Sequence, residues 1–101
     1  MLERDIERRM NRLIRERGGL TYKFSSPNSR SVPDRIVITS SGEVWFVELK
    51  TTNGNLTKLQ QHHIDKLKKQ GANACVLYGW EAAFAFVEEL FPDAKEGSGG
   101  I

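Results

Sequence analysis

Three side chains break the hydrophobic pattern around them. Asp34 stands at the head of a β-branched run, Arg35–Thr39 (RIVIT). Glu48 lies inside the most apolar run of the chain, Val44–Leu49 (VWFVEL), and Lys50 follows it. Residues two apart on a strand project from one face, so Glu48 and Lys50 share a side of the sheet. The two runs are separated by the turn signal Ser40-Ser41-Gly42 and should pair as a hairpin. That pairing brings Asp34 and Glu48 to one end of it. Two close carboxylates repel unless a cation sits between them. Mg²⁺ suits a few carboxylates completed by waters and phosphate oxygens. A lysine beside such a pair can handle a proton or stabilise developing charge. The set suits hydrolysis of a phosphodiester. The same spacing also fits a plainer arrangement, in which Asp34 caps a loop and Glu48 and Lys50 form an ion pair on an edge strand.

The elements that must hold these residues can be read on either side. Leu2, Ile6, Met10, Leu13 and Ile14 recur at helical spacing over residues 2–17, and Gly18-Gly19 ends that helix. Leu20–Phe24 alternates as a strand, and Ser25–Pro33 (SSPNSRSVP) is a loop by composition. Val44–Leu49 lacks clean alternation and is expected to be central. Thr57-Lys58-Leu59-Gln60 fits a capping box with Thr57 as N-cap. The helix it opens carries an apolar stripe of Leu59, His63, Ile64 and Leu67 and stops at Gly71. Ala74–Tyr78 is a fourth strand, and Trp80–Leu90 is a last helix, closed by Pro92. The order α-β-β-β-α-β-α predicts an α/β fold: a mixed four-stranded sheet flanked by helices, one of them C-terminal.

Composition bounds the rest. The chain has 101 residues, a net charge of +2 and a single cysteine. That is enough for one domain with a modest core. It excludes an internal disulfide and a zinc site built from several thiolates. No apolar run is long enough for a membrane span. No charged-then-apolar signal opens the chain, so no membrane association and a cytoplasmic setting are expected. Residues 93–101 read as a flexible tail after a domain over 1–92. The charge is uneven: residues 1–79 sum to +6 and residues 80–101 to −4. A basic body suits a nucleic-acid partner, though solvated basic helix faces are common. His62 and His63 are adjacent on a helix and cannot easily share one metal. Cys75 reads as a packed strand residue.

Pro33-Asp34, thirteen intervening residues, then Glu48-Leu49-Lys50 resembles the PD-(D/E)XK nuclease signature. The flanking segments narrow this. Glu3-Arg4-Asp5-Ile6-Glu7 opens the first helix, Gly18-Gly19 ends it, and Lys23–Pro27 follows. Val32–Val37 and Val44–Lys50 make the hairpin, and Leu56–Gln60 opens the next helix. Together they resemble the VRR-NUC family (virus-type replication-repair nucleases), in a small stand-alone form of phages and bacteria, over residues 2–90. The resemblance implies a restriction-endonuclease-like αβββαβ core and metal-dependent DNA cleavage in a bacterial or phage-infected cytoplasm. It implies that Asp34, Glu48 and the backbone carbonyl of Leu49 bind Mg²⁺, with Mn²⁺ able to substitute. Lys50 would be the catalytic lysine. Glu3 would complete the site, with Glu7, one turn on, as the alternative. Gln60 would support the site or contact DNA. One departure is visible: many relatives carry Gly before Val-Pro-Asp, and here the residue is Ser31.

DNA contacts are expected from Arg30 and Arg35 beside the Asp34 loop, from Ser26 and Asn28 within it, and from Lys58 and Gln60. By the same resemblance the substrate is branched DNA such as a four-way junction. A symmetric junction suits a two-fold homodimer, and Trp45, Phe84, Phe86 and Phe91 could supply its face. The competing reading is a catalytically weak DNA-binding accessory module on the same scaffold. Such a module usually loses an acid or the lysine; Glu3, Asp34, Glu48 and Lys50 are all present. A blander reading, a structural partner with no nucleic-acid role, should lack salt-sensitive DNA binding.

Overall fold

The computed structural model describes residues 1–92; the expected tail over 93–101 lies outside them. Helix α1 (Glu3–Glu16) is followed by strands β1 (Leu20–Lys23), β2 (Arg35–Ile38) and β3 (Val44–Lys50). Helix α2 (Lys58–Lys69), strand β4 (Asn73–Tyr78) and helix α3 (Gly79–Leu90) complete the order. The strands form one sheet in the order β1-β2-β3-β4. The first three are antiparallel neighbours, and β4 pairs parallel to β3 after the α2 crossover. β3 therefore has a strand on each side, as the lack of clean alternation in its sequence predicted.

The main core lies between the sheet and the α1–α3 pair. Ile6, Met10 and Ile14 of α1 meet Val37, Val47, Leu49 and Leu77 of the sheet, with Ala83 and Val87 of α3. Buried Ile64 of α2 stands outside this cluster. Leu59, expected on the buried stripe of α2, is 41% exposed. Only the middle and end of α2 press on apolar neighbours. Its first turn directs Gln60, not Leu59, at the sheet. Leu2 is exposed for a related reason, since it is the N-cap of α1 and precedes the helical face.

The helix ends follow the sequence closely. Thr57 Oγ1 accepts from Gln60 N at 3.1 Å, and Gln60 Oε1 accepts from Thr57 N at 2.9 Å, which closes the capping box. α1 ends in a Schellman arrangement. Gly18 (φ 84°) donates to Arg15 O and Gly19 to Ile14 O, a backbone turn that glycine adopts without a Cβ penalty. Gly19 is needed for another reason: a Cβ there would come within 2.4 Å of the Phe91 ring. Phe91 is buried, and its carbonyl accepts from Arg17 at 2.8 Å, while Arg17 also pairs with Glu88. The close backbone approach thus locks the end of α1 to the end of α3. Gly19→Ala should displace the Phe91 ring and strain both contacts. The expected loss is about 1–3 kcal/mol, measured as a fall in the urea midpoint with an unchanged slope.

Candidate active site

The β2–β3 register pairs Arg35 with Val47. One step further along the hairpin, Asp34 stands opposite Glu48. Asp34 Oδ2 accepts from the Leu49 backbone N–H at 3.4 Å, which ties the loop end to β3. Glu48 is only 2% exposed, on an inner strand. The edge-strand ion pair is therefore not what the chain builds. Lys50 Nζ lies 3.6 Å from Glu48 Oε2, and Gln60 Nε2 donates to the same oxygen at 3.2 Å. The other oxygen, Oε1, is buried with no hydrogen-bond partner.

An acid so placed resists ionisation. Burial first, then the neighbouring Asp34 charge, pushes the Glu48 carboxyl up to about 7; Lys50 pulls the other way. The Glu3 carboxyl is also raised, by partial burial and then by Asp34, with Lys50 again opposing. Glu3 thus stands within electrostatic reach of the Asp34–Lys50 end of the sheet. Glu7 is otherwise engaged, accepting from Arg35 at 3.2 Å. Among the described residues, no three Asp, Glu, His or Cys side chains converge as a preformed metal cage. Asp34 and Glu48 are the carboxylates brought together. The orphaned Oε1 of Glu48, on a carboxyl group with a second carboxylate beside it, is the kind of donor a divalent cation satisfies.

The expected DNA contacts divide. Arg30 and Lys58 are exposed and make none of the ion pairs among the described residues. Ser26 and Asn28 lie in the loop, where Ser29 N donates to Ser26 O. Arg35 is different. It is 7% exposed, and its guanidinium is held by Thr21 Oγ1 and Glu7. Ser31, the residue before Val32-Pro33-Asp34, has φ 65°. The serine adopts the left-handed backbone that glycine takes more readily, so the loop keeps its path at some strain.

Sequence reasoning missed one feature. A cleft of about 400 Å³ on the α1 side is lined by Arg4, Arg8, Asn11 and Arg15 with Lys23, Arg35 and the Glu7 that Arg35 pairs with. Arg4, Arg8, Asn11 and Arg15 are spaced by four, three and four, so they form one helix face. That spacing was visible in the sequence, hidden among the other arginines of α1. The aromatics expected at a dimer face differ in exposure. Phe91 is buried, and Trp45 packs edge-on against Phe86 at 5.4 Å, leaving Phe84, 43% exposed. His62 and His63 do not converge on a common ligand position. Burial raises the Cys75 thiol to about 11, which keeps it un-ionised near neutral pH.

Comparison with known proteins agrees with this arrangement. A VRR-NUC domain profile matches residues 6–81, which include Asp34, Glu48, Lys50 and Gln60. The chain belongs to the VRR-NUC family. This VRR-NUC chain is 37% identical over 75 residues to the "Putative nuclease p44" of Acyrthosiphon pisum secondary endosymbiont phage 1. The match covers 74% of this chain and 81% of that protein. A solved structure described as a VRR_NUC domain superposes with TM-score 0.79 at 28% identity, over 85% of this chain and 94% of that one. A second, described as a VRR_NUC domain protein, shares the fold at 15% identity with TM-score 0.68, over 89% and 88% of the two chains. The restriction-endonuclease-like sheet expected from the sequence is the fold of this nuclease family. No helix of the described residues is long and apolar enough to cross a membrane.

The raised Glu48 carboxyl has a measurable cost. Between pH 4.5, its ordinary value, and about 7, the folded chain holds a proton that the unfolded chain has released. Its contribution to stability therefore falls as pH rises through that window. In EDTA at pH 8, Glu48→Gln should melt several degrees above the parent. The advantage should vanish near pH 5, where the parent carboxyl is protonated. Thermal melts across pH check this.

Proposed function

We propose that this VRR-NUC protein is a divalent-metal-dependent DNA endonuclease. The observation that carries the reading is the buried Glu48, with Oε1 free of partners, beside Asp34 and Lys50 on an inner strand. Asp34, Glu48 and the Leu49 carbonyl would hold Mg²⁺, or Mn²⁺ in its place. Glu3 is the supporting acid, because Glu7 is committed to Arg35. The bound metal supplies Lewis-acid polarisation of the phosphate and a more acidic water. The chain's own groups supply orientation and charge. Gln60 and Lys50 both engage Oε2 of Glu48, which turns Oε1 toward the site. The Leu49 N–H holds the Asp34 carboxylate in place. The Lys50 ammonium stands where negative charge develops during phosphodiester hydrolysis.

DNA is the substrate that the charge distribution suits. The Arg4–Arg8–Arg15 face extends away from the turn that carries Glu3. At 1.5 Å per residue it is about 16 Å long, enough to follow several phosphates of one strand. Branched DNA, four-way junctions included, is the substrate class that the family resemblance supports. A two-fold dimer would place two sites on two strands of such a junction. The setting we infer is a bacterial or phage-infected cytoplasm.

The reading is tested with purified protein on linear, nicked, flapped and four-way DNA. Cleavage should require Mg²⁺ or Mn²⁺ and stop in EDTA. Glu48→Ala and Lys50→Ala should each lower it by about a hundredfold or more, while DNA binding persists. Uncut DNA with intact salt-dependent binding would instead identify a non-catalytic DNA-binding module. Equal cutting by both variants would mean that the site lies elsewhere. A second measurement addresses the cleft. Arg8→Glu and Arg15→Glu should each raise KM more than they lower kcat, and each should flatten the salt dependence of binding by about one unit of slope.

A further inference from the structure

A second opening lies on the other face of the sheet. It has a volume of about 460 Å³ and an apolar wall made by Phe24, Val32, Pro33 and Leu67. His63, Gln70 and the exposed Lys66 and Lys69 complete it. Its position relative to the acids is set by the sheet. Phe24 N donates to Asp34 O at 2.8 Å, which continues the β1–β2 ladder by one pair. Phe24, Asp34 and Glu48 are thus lateral neighbours on adjacent strands, about 4.8 Å apart per step. On the other side of the opening, His63 follows Gln60 by one helical turn, and Gln60 touches Glu48. Pro33 directly precedes Asp34. The pocket therefore borders the carboxylate pair through three separate segments.

We infer that this pocket takes an unstacked nucleobase of the DNA strand, next to the phosphate being cut. The inference rests on the nuclease reading above and deepens it. The rings of Phe24 and His63 offer surfaces for stacking, which every base can use. Phe24 is backed by Phe46, ring centroids 5.6 Å apart, so its ring is held. The lysines fit the phosphates that flank such a base, and Gln70 can meet a polar base edge. The loop wall is held by Ser31, whose left-handed backbone turns Val32 and Pro33 into place. A base can enter only if it is unpaired, and unpairing costs least where the duplex is already interrupted. The pocket thus gives a physical source for selectivity toward branch points, without sequence reading.

The test is a cycle between the base and the protein. Branched DNA is made with the nucleotide beside the cleavage site either intact or abasic. The parent should cut the abasic form with kcat/KM lower by about tenfold. In His63→Ala, and independently in Phe24→Leu, the intact substrate should slow by a similar factor and the abasic penalty should disappear. Melting curves identify any variant that fails to fold, and Lys66→Ala, on the exposed side of α2, then serves with an expected smaller effect. The same cycle is read by anisotropy in Ca²⁺, with labelled intact and abasic DNA. If the parent cuts nothing with Mg²⁺ or Mn²⁺, the nuclease reading fails, and this binding cycle still decides the pocket. An abasic penalty absent from the parent, or equal in parent and variants, overturns the inference. So does a loss of dimer in the pocket variants by sedimentation, which would make a second copy the occupant.

Discussion

A carboxylic acid on an inner strand has few ways to exist. Ionised and unpartnered, it would carry a large desolvation cost. Neutral, it would sit as a buried polar group of no evident use. The fold arranges something between the two. Lys50 and Gln60 satisfy one oxygen of Glu48 and the second is left open. Asp34 across the hairpin adds a second negative group where repulsion already raises the Glu48 carboxyl. Each neighbouring element serves that arrangement. β3 is interior, so the acid is dry. The β2–β3 register sets the Asp34 partner, and the first turn of α2 overhangs the sheet end so that Gln60 can reach down. Stability is given up where, on the proposed reading, a bound cation would restore it.

Much of this was legible in the residues because local signals agreed with the global fold. The capping box at Thr57 and Gln60 placed α2. The double glycine after Arg17 ended α1. The β-branched runs around Ser40–Gly42 set the hairpin, and the hairpin set the two acids. The element order needed only the rule that a parallel neighbour comes after a crossover. An acid inside an apolar run was itself the strongest pointer to the site.

What escaped notice depended on three-dimensional facts that composition does not encode. Arg35 looks like a phosphate contact by its place beside Asp34, yet strand alternation turns it toward α1, where Glu7 and Thr21 hold it. The same contact engages Glu7 and so bears on which acid serves the site. The arginines of α1 all look solvated in sequence; only packing of the helix against β1 and β2 shows that three of them border a cleft. The aromatics near the C-terminus look like a surface patch, but Arg17 and Gly19 draw Phe91 inward. Each of these depends on a contact between residues far apart in the chain.

Gln60 occupies an unusual position among these residues. One end of its amide closes the cap of α2 and the other holds the Glu48 carboxylate. The same side chain is therefore part of a folding signal and part of the proposed site. Fraying of the first turn of α2 would withdraw a ligand-orienting donor, and occupation of the site would in turn resist fraying. Local opening of this helix and ligand binding at the sheet end are thus linked functions. The Gln60 amide proton, held by Thr57 Oγ1, is thereby placed to report on what sits beside Glu48.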